Sequence, residues 1–212
     1  FPNPKINFFG ITEYDGDLKI PKNYLVSPPT IQDTLGEYLS ELGLRQYACS
    51  ETQKFGHVTF FWNGNRSGFF NSNLEKYEEI PSDNIPFNHK PWMKAYEITE
   101  AVISQMEKES FDFARINFAN GDMVGHTGDL NASVVAVSAV DLCLGRLLKY
   151  AKKKNVSLII TADHGNCEEM LVKKEGQSEA KTSHTLSSVP FYFFDPQINT
   201  KNFTFSGLGK NI

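Results

Sequence analysis

The sequence predicts an α/β fold, a mainly parallel sheet with helices on both faces. Short apolar runs alternate along the chain with segments whose apolar residues recur at helical spacing, the pattern of strands joined by crossover helices. Aspartate and histidine stand where two of the apolar runs stop, at Asp122 with His126 and at Asp163 with His164. In parallel sheets, ligands collect beyond the carboxyl ends of the strands, because the loops there converge while the opposite ends carry the return connections. With 212 residues, 40% hydrophobic and 22% charged, the chain has the make-up of a globular protein with a sizeable core.

The elements follow in order. "INFFGITEYDGDLKIPKNYLVSPP" opens with a short apolar run, passes through turn-rich residues and ends at Pro28-Pro29. Consecutive prolines cannot enter the interior of a helix or a central strand, so a boundary is expected there, separating 1–28 from 29–212. Ile31, Leu35, Leu39 and Leu42 then recur at helical spacing, with Gly43 at the expected end. "HVTFFW", 57–62, reads as a strand and "NGNRSG" as a glycine-rich loop after it. A helix is expected over 95–109 and a buried strand over Phe113–Asn120. Asp129 can cap a long helix to about Lys154, with Val134, Val137, Asp141 and Leu148 near its inner or outer faces. The strand "SLIITA", a loop rich in Lys and Glu, and the strand "VPFYFF" complete the series.

Charge and cysteine usage exclude several classes. A net charge of −4 gives no basic footprint for nucleic acid. Cys49, Cys143 and Cys167 are odd in number and form no CxxC pair, which fits a reducing compartment better than a disulfide scaffold. No stretch reads as long and apolar enough to span a bilayer, and "FPNPKINFFG" lacks the pattern of a signal peptide. A cytoplasmic protein without membrane partners is expected. Phe1 in place of Met suggests that the natural start lies elsewhere.

Asp122 and His126 are spaced to meet on one face of a helical turn or compact loop. Carboxylate oxygen with neutral imidazole nitrogen suits Mn, Zn, Co or Fe, and the lack of thiolates argues against a structural zinc site. If the loop "KTSHTLSS" folds back over the same edge, His184 makes the set one Asp and two His and leaves a coordination position open. Asp163 and His164 point in roughly opposite directions if their strand continues through them, which suits bridging two ions, or an ion and a supporting group, better than chelation by the pair alone. Each residue has an ordinary alternative: Asp after a strand is commonly a cap or a turn former, and His184 could be a plain loop histidine. Three of five histidines placed with Asp or hydroxyl residues at strand ends make coincidence the weaker reading. His57, opening a strand, and His89, in a Pro-flanked loop, read as structural. Lys54 is most simply a solvated lysine, or else a phosphate contact; Arg66 carries the same two readings, and Cys167 and Glu168 read as packing and surface residues.

"FANGDMVGHTGD", "TADHGN", "KTSHTLSSVPF", "ETQKFGHVTFFWNGNRSG" and "SPPTIQDTLGEYLSELGL" together closely resemble the cofactor-independent (2,3-bisphosphoglycerate-independent) phosphoglycerate mutases of the alkaline phosphatase superfamily. The resemblance covers nearly the whole chain. It implies an alkaline-phosphatase-like fold present as a partial domain, with 1–28 as the end of the phosphotransferase domain and its hinge, and 29–212 as the C-terminal part of the metal-binding phosphatase domain. It implies two divalent ions, manganese foremost with cobalt, magnesium or zinc as alternatives, and no requirement for 2,3-bisphosphoglycerate. Asp122, His126 and His184 would hold one ion, Asp163 and His164 would help hold the second, and Lys54 would contact the transferred phosphate. The implied reaction interconverts 3-phosphoglycerate and 2-phosphoglycerate, in glycolysis and gluconeogenesis, through a phosphoserine, in an enzyme that is monomeric when complete.

Family members carry a nucleophilic Ser, a further metal-binding Asp and an arginine-rich substrate domain that no segment here matches, and the chain stops at "SGLGKNI" before an expected terminal helix. A partial chain of a larger enzyme is therefore expected, inactive in isolation, and Ser183, Ser187 and Ser188 are not candidates for the nucleophile. A metal-dependent phosphatase or phosphodiesterase of the same superfamily, and a noncatalytic metal-binding module, are the alternatives.

Overall fold

A computed structural model of the chain describes residues 6–13, 20–27, 29, 31–174 and 176–198. Pro28, at the expected boundary, lies outside them, as do most of "TEYDGDLK" and all of 199–212. The described residues form two units: those up to Asp83 with Glu109–Ala119, and those from Asn84 to Lys108 with Asn120 onward.

In the first unit, β1 (Gly10–Thr12) and β2 (Tyr24–Val26) pair in parallel. Thr34 starts α1 (Leu35–Glu41) by accepting from the Glu37 amide at 3.3 Å, while the Glu37 carboxylate accepts from the Asp33 amide at 3.1 Å; this is nearly the reciprocal pairing of a capping box. Gly43, at φ +74°, turns the chain out of the helix. The sheet consists of β3 (Gln46–Glu51) between β4 (Glu75–Ile80) and β5 (Phe113–Asn117), all parallel, with Ala48 facing Tyr77 on one side and Arg115 on the other. All six residues of β3 are buried, although half of "QYACSE" is polar. Burial there is tolerated because the polar groups are paired: Gln46 donates to the Gly36 carbonyl at 2.9 Å and accepts from Arg115 at 3.0 Å, Ser50 donates to the Asn117 carbonyl, and Glu51 accepts from Ser82 at 2.8 Å.

"HVTFFW" is not a strand. Residues 52–54 form a 3₁₀ turn that runs into a short helix, α2 (Phe55–Val58), and tight turns follow. The Thr59 hydroxyl donates to the Phe55 carbonyl at 2.8 Å and the Phe61 amide to Gly56 at 2.9 Å, so local bonds override the β propensity of the aromatic residues. His57 therefore sits in a helix. Arg66 is exposed and lies 4.5 Å from the Phe70 ring centroid.

Arg45 clamps Asp112 in the same unit, through its backbone amide at 2.8 Å, Nε at 3.0 Å and Nη2 at 2.8 Å. These bonds, the side-chain ones foremost, hold the Asp112 carboxyl down to about 2 from 3.8. A carboxyl depressed in the folded state stabilises fully above its unfolded value, and the gain is lost as pH falls through the folded one. The denaturation midpoint of the wild type is expected to exceed that of Asp112→Asn modestly above about pH 4, because the pair is partly exposed, and the gap should close toward about pH 2. Urea titrations across that range would contradict the assignment if the gap stayed constant.

In the second unit, α3 (Ala95–Glu107) buries Ile98, Val102, Ile103 and Met106 at helical spacing. It packs against α5 (Leu130–Lys154), whose buried side is Ala132, Ser133, Ala136, Cys143, Leu147 and Ala151. Asp129 caps α5 by accepting from the Ala132 amide at 3.0 Å, Lys152, Lys153 and Lys154 complement its carboxyl end, and Asn155 closes it in the left-handed region at φ 58°. By length and composition α5 is long and apolar enough to cross a bilayer, contrary to the sequence expectation. Between Leu130 and Leu148 only Asp141 and Arg146 are charged, and Arg146 reaches Glu100 and the Tyr96 ring on α3.

The short α4 (Asn120–Gly125) precedes α5. After α5, β6 (Leu158–Thr161) pairs with β9 (Phe191–Phe194), and between them β7 (Leu171–Lys174) and β8 (Gln177–Ala180) form a hairpin turned at Gly176, φ +84°. The fold class is α/β, as the alternation predicts. The β6–β9 pair is antiparallel, Leu158 opposite Phe194 and Thr161 opposite Phe191; the segment expected as a loop rich in Lys and Glu carries the β7–β8 hairpin, and the chain returns from it reversed.

Candidate metal centre

Three segments of the second unit meet at Asp122. Asp122 lies on α4 and His126 in the turn directly after it, four residues on, with the His126 amide donating to the Asp122 carbonyl at 3.0 Å. Beyond β6, the bend 163–166 carries Asp163, His164 and Asn166. Beyond β8, residues 181–185 fold back as the sequence reading required: the Thr185 amide donates to the Gly165 carbonyl at 3.0 Å, the two residues form a β-bridge, and His184 is brought over α4.

Asp122 Oδ1, His126 Nε2 and His184 Nε2 form a triangle with all three sides 3.0 Å. The hydrogen-bond chemistry of His126 makes this triangle informative. Its Nδ1 lies 2.6 Å from the Thr182 carbonyl, which can only accept, so Nδ1 carries a proton and Nε2 is the nitrogen left to act as a ligand when the ring binds a metal. That nitrogen faces a carboxylate oxygen and a second imidazole nitrogen, a donor set able to hold a divalent cation. Ligand atoms placed about 2.1 Å from one centre at right angles to each other would lie about 3.0 Å apart, so the spacing fits a divalent ion held on one side and open on the other. Asp122 is 14% exposed, whereas His126 and His184 are 38% and 49% exposed, so the open side is accessible.

The Asp163–His164 pair departs from the alternating geometry expected of a continuing strand. β6 ends at Thr161, and in the bend Asp163 Oδ2 comes 3.6 Å from His164 Nε2. His164 stacks on His184 with centroids 3.6 Å apart and lies 3.8 Å from Asp122 Oδ1. Asp163 is half exposed. His164 thus borders the triangle, and Asp163 lies one step further out. Lys54 belongs to the first unit; it is 6% exposed, not the solvated lysine of the simplest reading. His89 ends a short 3₁₀ turn, 87–89.

Two supporting side chains escaped the sequence reading. Buried Asn166 donates from Nδ2 to Asp122 Oδ1 at 3.0 Å and to the Asp122 carbonyl at 3.3 Å. Glu168, exposed as expected, also links two segments: one oxygen accepts from the Asn166 amide at 2.6 Å and the other from the Thr185 hydroxyl. Those bonds, the Thr185 hydroxyl foremost, hold its carboxyl down to about 2. Cys167 donates its thiol to the Gly121 carbonyl at 2.8 Å, consistent with a packing role. The only sequence signal for Asn166 and Glu168 was their place directly after Asp163-His164; their partners come from segments distant in sequence.

Comparison with known proteins places these observations. A family model described as the metalloenzyme superfamily matches residues 9–210. Over 205 residues the chain is 51% identical to a protein of Leptospira interrogans named probable 2,3-bisphosphoglycerate-independent phosphoglycerate mutase, covering 92% of this chain and 37% of that protein. An Arabidopsis thaliana 2,3-bisphosphoglycerate-independent phosphoglycerate mutase is 51% identical over 203 residues, 91% of this chain and 36% of the relative. A Leishmania mexicana phosphoglycerate mutase crystallised at low cobalt concentration superposes with a TM-score of 0.86 at 46% identity, covering 92% of this chain and 37% of that one. The chain therefore spans little more than a third of the length of these relatives.

Proposed function

Because this chain belongs to the metalloenzyme superfamily, we propose that it is the metal-bearing portion of a 2,3-bisphosphoglycerate-independent phosphoglycerate mutase. The complete enzyme interconverts 3-phosphoglycerate and 2-phosphoglycerate, a step of glycolysis and gluconeogenesis, in the cytoplasm and as a monomer. The observation that carries the reading is the triangle of Asp122, His126 and His184, three electron-rich atoms 3.0 Å apart in a chain about half identical to proteins of that name.

In this reading those three residues hold one divalent ion, and Asp163 with His164 contributes to a second. Manganese is favoured, with cobalt, magnesium and zinc as alternatives; the crystallisation of the Leishmania relative with cobalt supports a site for a divalent metal of this kind. Bound there, such ions supply positive charge to a transferring phosphoryl group and acidify a hydroxyl nucleophile. This chain's residues do the rest by position. Thr182 fixes the His126 tautomer, Thr185 and Gly165 hold the His184 segment on the bend, and Asn166 and Glu168 keep both in register. Lys54 is the proposed contact to the phosphate. The phosphoryl group is carried between the two glycerate oxygens by a serine supplied outside these 212 residues.

The test is product analysis. The complete enzyme, loaded with Mn²⁺ and given 3-phosphoglycerate, is expected to release 2-phosphoglycerate with little free phosphate and without added 2,3-bisphosphoglycerate, and the isolated 212-residue chain is expected to turn over neither. Free phosphate as the main product would assign the site to hydrolysis, and robust isomerisation by the isolated chain would contradict the division of roles.

A further inference from the structure

The Asn166 side chain is more than nine-tenths buried, and its orientation is settled by its neighbours. The Asp122 carboxylate and the Asp122 carbonyl, 3.0 and 3.3 Å away, can only accept, so the group facing them is the amide NH₂. Its oxygen is then turned away from Asp122 and is buried with no hydrogen-bond partner among the described residues. What receives that oxygen is Gly125: a Cβ added there would overlap it and come within 2.8 Å of the Asn166 Cγ. Gly125 lies in α4 without a positive φ, so its backbone does not require glycine, and alanine would be the better helix former. The requirement for a bare Cα at 125 comes from the amide of residue 166.

We propose that Asn166 and Gly125 are a matched pair of positioning residues that fix the Asp122 carboxylate for the metal. The amide occupies one lone-pair direction of Asp122 Oδ1, which leaves the other toward His126 and His184, and the bond to the Asp122 carbonyl ties the same amide to the α4 backbone. Because Asn166 stands in the bend that also carries Asp163 and His164, the pair sets the distance between the two groups of candidate ligands. Hydrogen-bonding groups behind a metal ligand typically govern affinity by about 10- to 100-fold. This inference rests on the metal-centre reading above.

Mn²⁺ affinity of the 212-residue chain, measured by titration calorimetry, and the visible absorption of its Co²⁺ form test the pair. Asn166→Ala is expected to weaken Mn²⁺ binding by about 10- to 100-fold and to shift the Co²⁺ bands, with the melting temperature of the metal-free chain little changed. Gly125→Ala, which approaches the same amide from the other side, is expected to weaken binding to a similar degree. In the Asn166→Ala background, where the obstruction has been removed, Gly125→Ala should cost almost nothing further, a coupling that independent sites do not show. Wild-type affinity and Co²⁺ spectrum in Asn166→Ala, or fully additive losses in the double variant, would overturn the proposal even if Asp122→Ala abolished binding. Failure of the wild-type chain itself to bind Mn²⁺ would instead remove the metal reading, and the proposal with it.

Discussion

Asp122→Ala is expected to abolish Mn²⁺ binding at the triangle and to leave the fold in place. Asp122 Oδ1 is the atom on which the site converges, 3.0 Å from His126 Nε2, from His184 Nε2 and from the Asn166 amide. Its removal takes away the anionic donor and leaves two imidazole nitrogens that cannot neutralise a divalent charge. It also strands the Asn166 amide, so some loss of local order in the 163–168 bend accompanies it. The hydrophobic core contributions of Ile98, Val102 and Val124 are untouched, and the far-ultraviolet dichroism of the metal-free chain should match wild type. Calorimetric titration of both proteins with Mn²⁺ reads the difference. An affinity for the variant within about threefold of wild type would exclude Asp122 as a ligand.

In the complete enzyme, Asp163→Ala is expected to eliminate phosphoglycerate isomerisation while leaving the Asp122 triangle able to bind. The separation is built into the bend: Asp163 is 52% exposed and 3.6 Å from His164, outside the triangle, and its carboxylate contributes little to any core. Under the proposed reading it serves the second ion, and phosphoryl transfer between two oxygens depends on both. Two measurements on one variant make the point, turnover of 3-phosphoglycerate and Mn²⁺ stoichiometry. Retained turnover, with wild-type carry-over excluded, would remove Asp163 from the machinery; loss of all metal would show that the two positions are not separable.

Much of this was legible in the sequence, for identifiable reasons. The long helix announced itself by a capping aspartate, Asp129, and an apolar repeat running to about Lys154, and it is observed over Leu130–Lys154 with that cap. The strands expected in "FARINFAN", "SLIITA" and "VPFYFF" are observed at 113–117, 158–161 and 191–194, the first cut short where Asn120 opens α4. The convergence of Asp122, His126 and His184 was readable because three of the five histidines stand with Asp or hydroxyl residues at the ends of expected strands. What was hidden depends on partners distant in sequence. β3 and β4, "QYACSE" and "EKYEEI", carry too many polar residues to look like strands, and partners such as Arg115, Ser82 and the Gly36 and Asn117 carbonyls make the burial of β3 tolerable. "HVTFFW" has the composition of a strand and is wound into turns by bonds that composition does not encode. The direction of β9 against β6, the closure of Thr185 on Gly165 and the reach of Asn166 to Asp122 all arise where separate loops meet.

The central claim is that Asp122, His126 and His184 together hold one divalent cation, and anomalous diffraction tests it most directly. Crystals of the 212-residue chain grown with saturating Mn²⁺ and measured near the manganese edge should show a peak about 2.0 to 2.3 Å from Asp122 Oδ1, His126 Nε2 and His184 Nε2 alike. An ordered triangle with no peak beside it, or a peak bound by other residues while these three side chains face one another without it, would contradict the account.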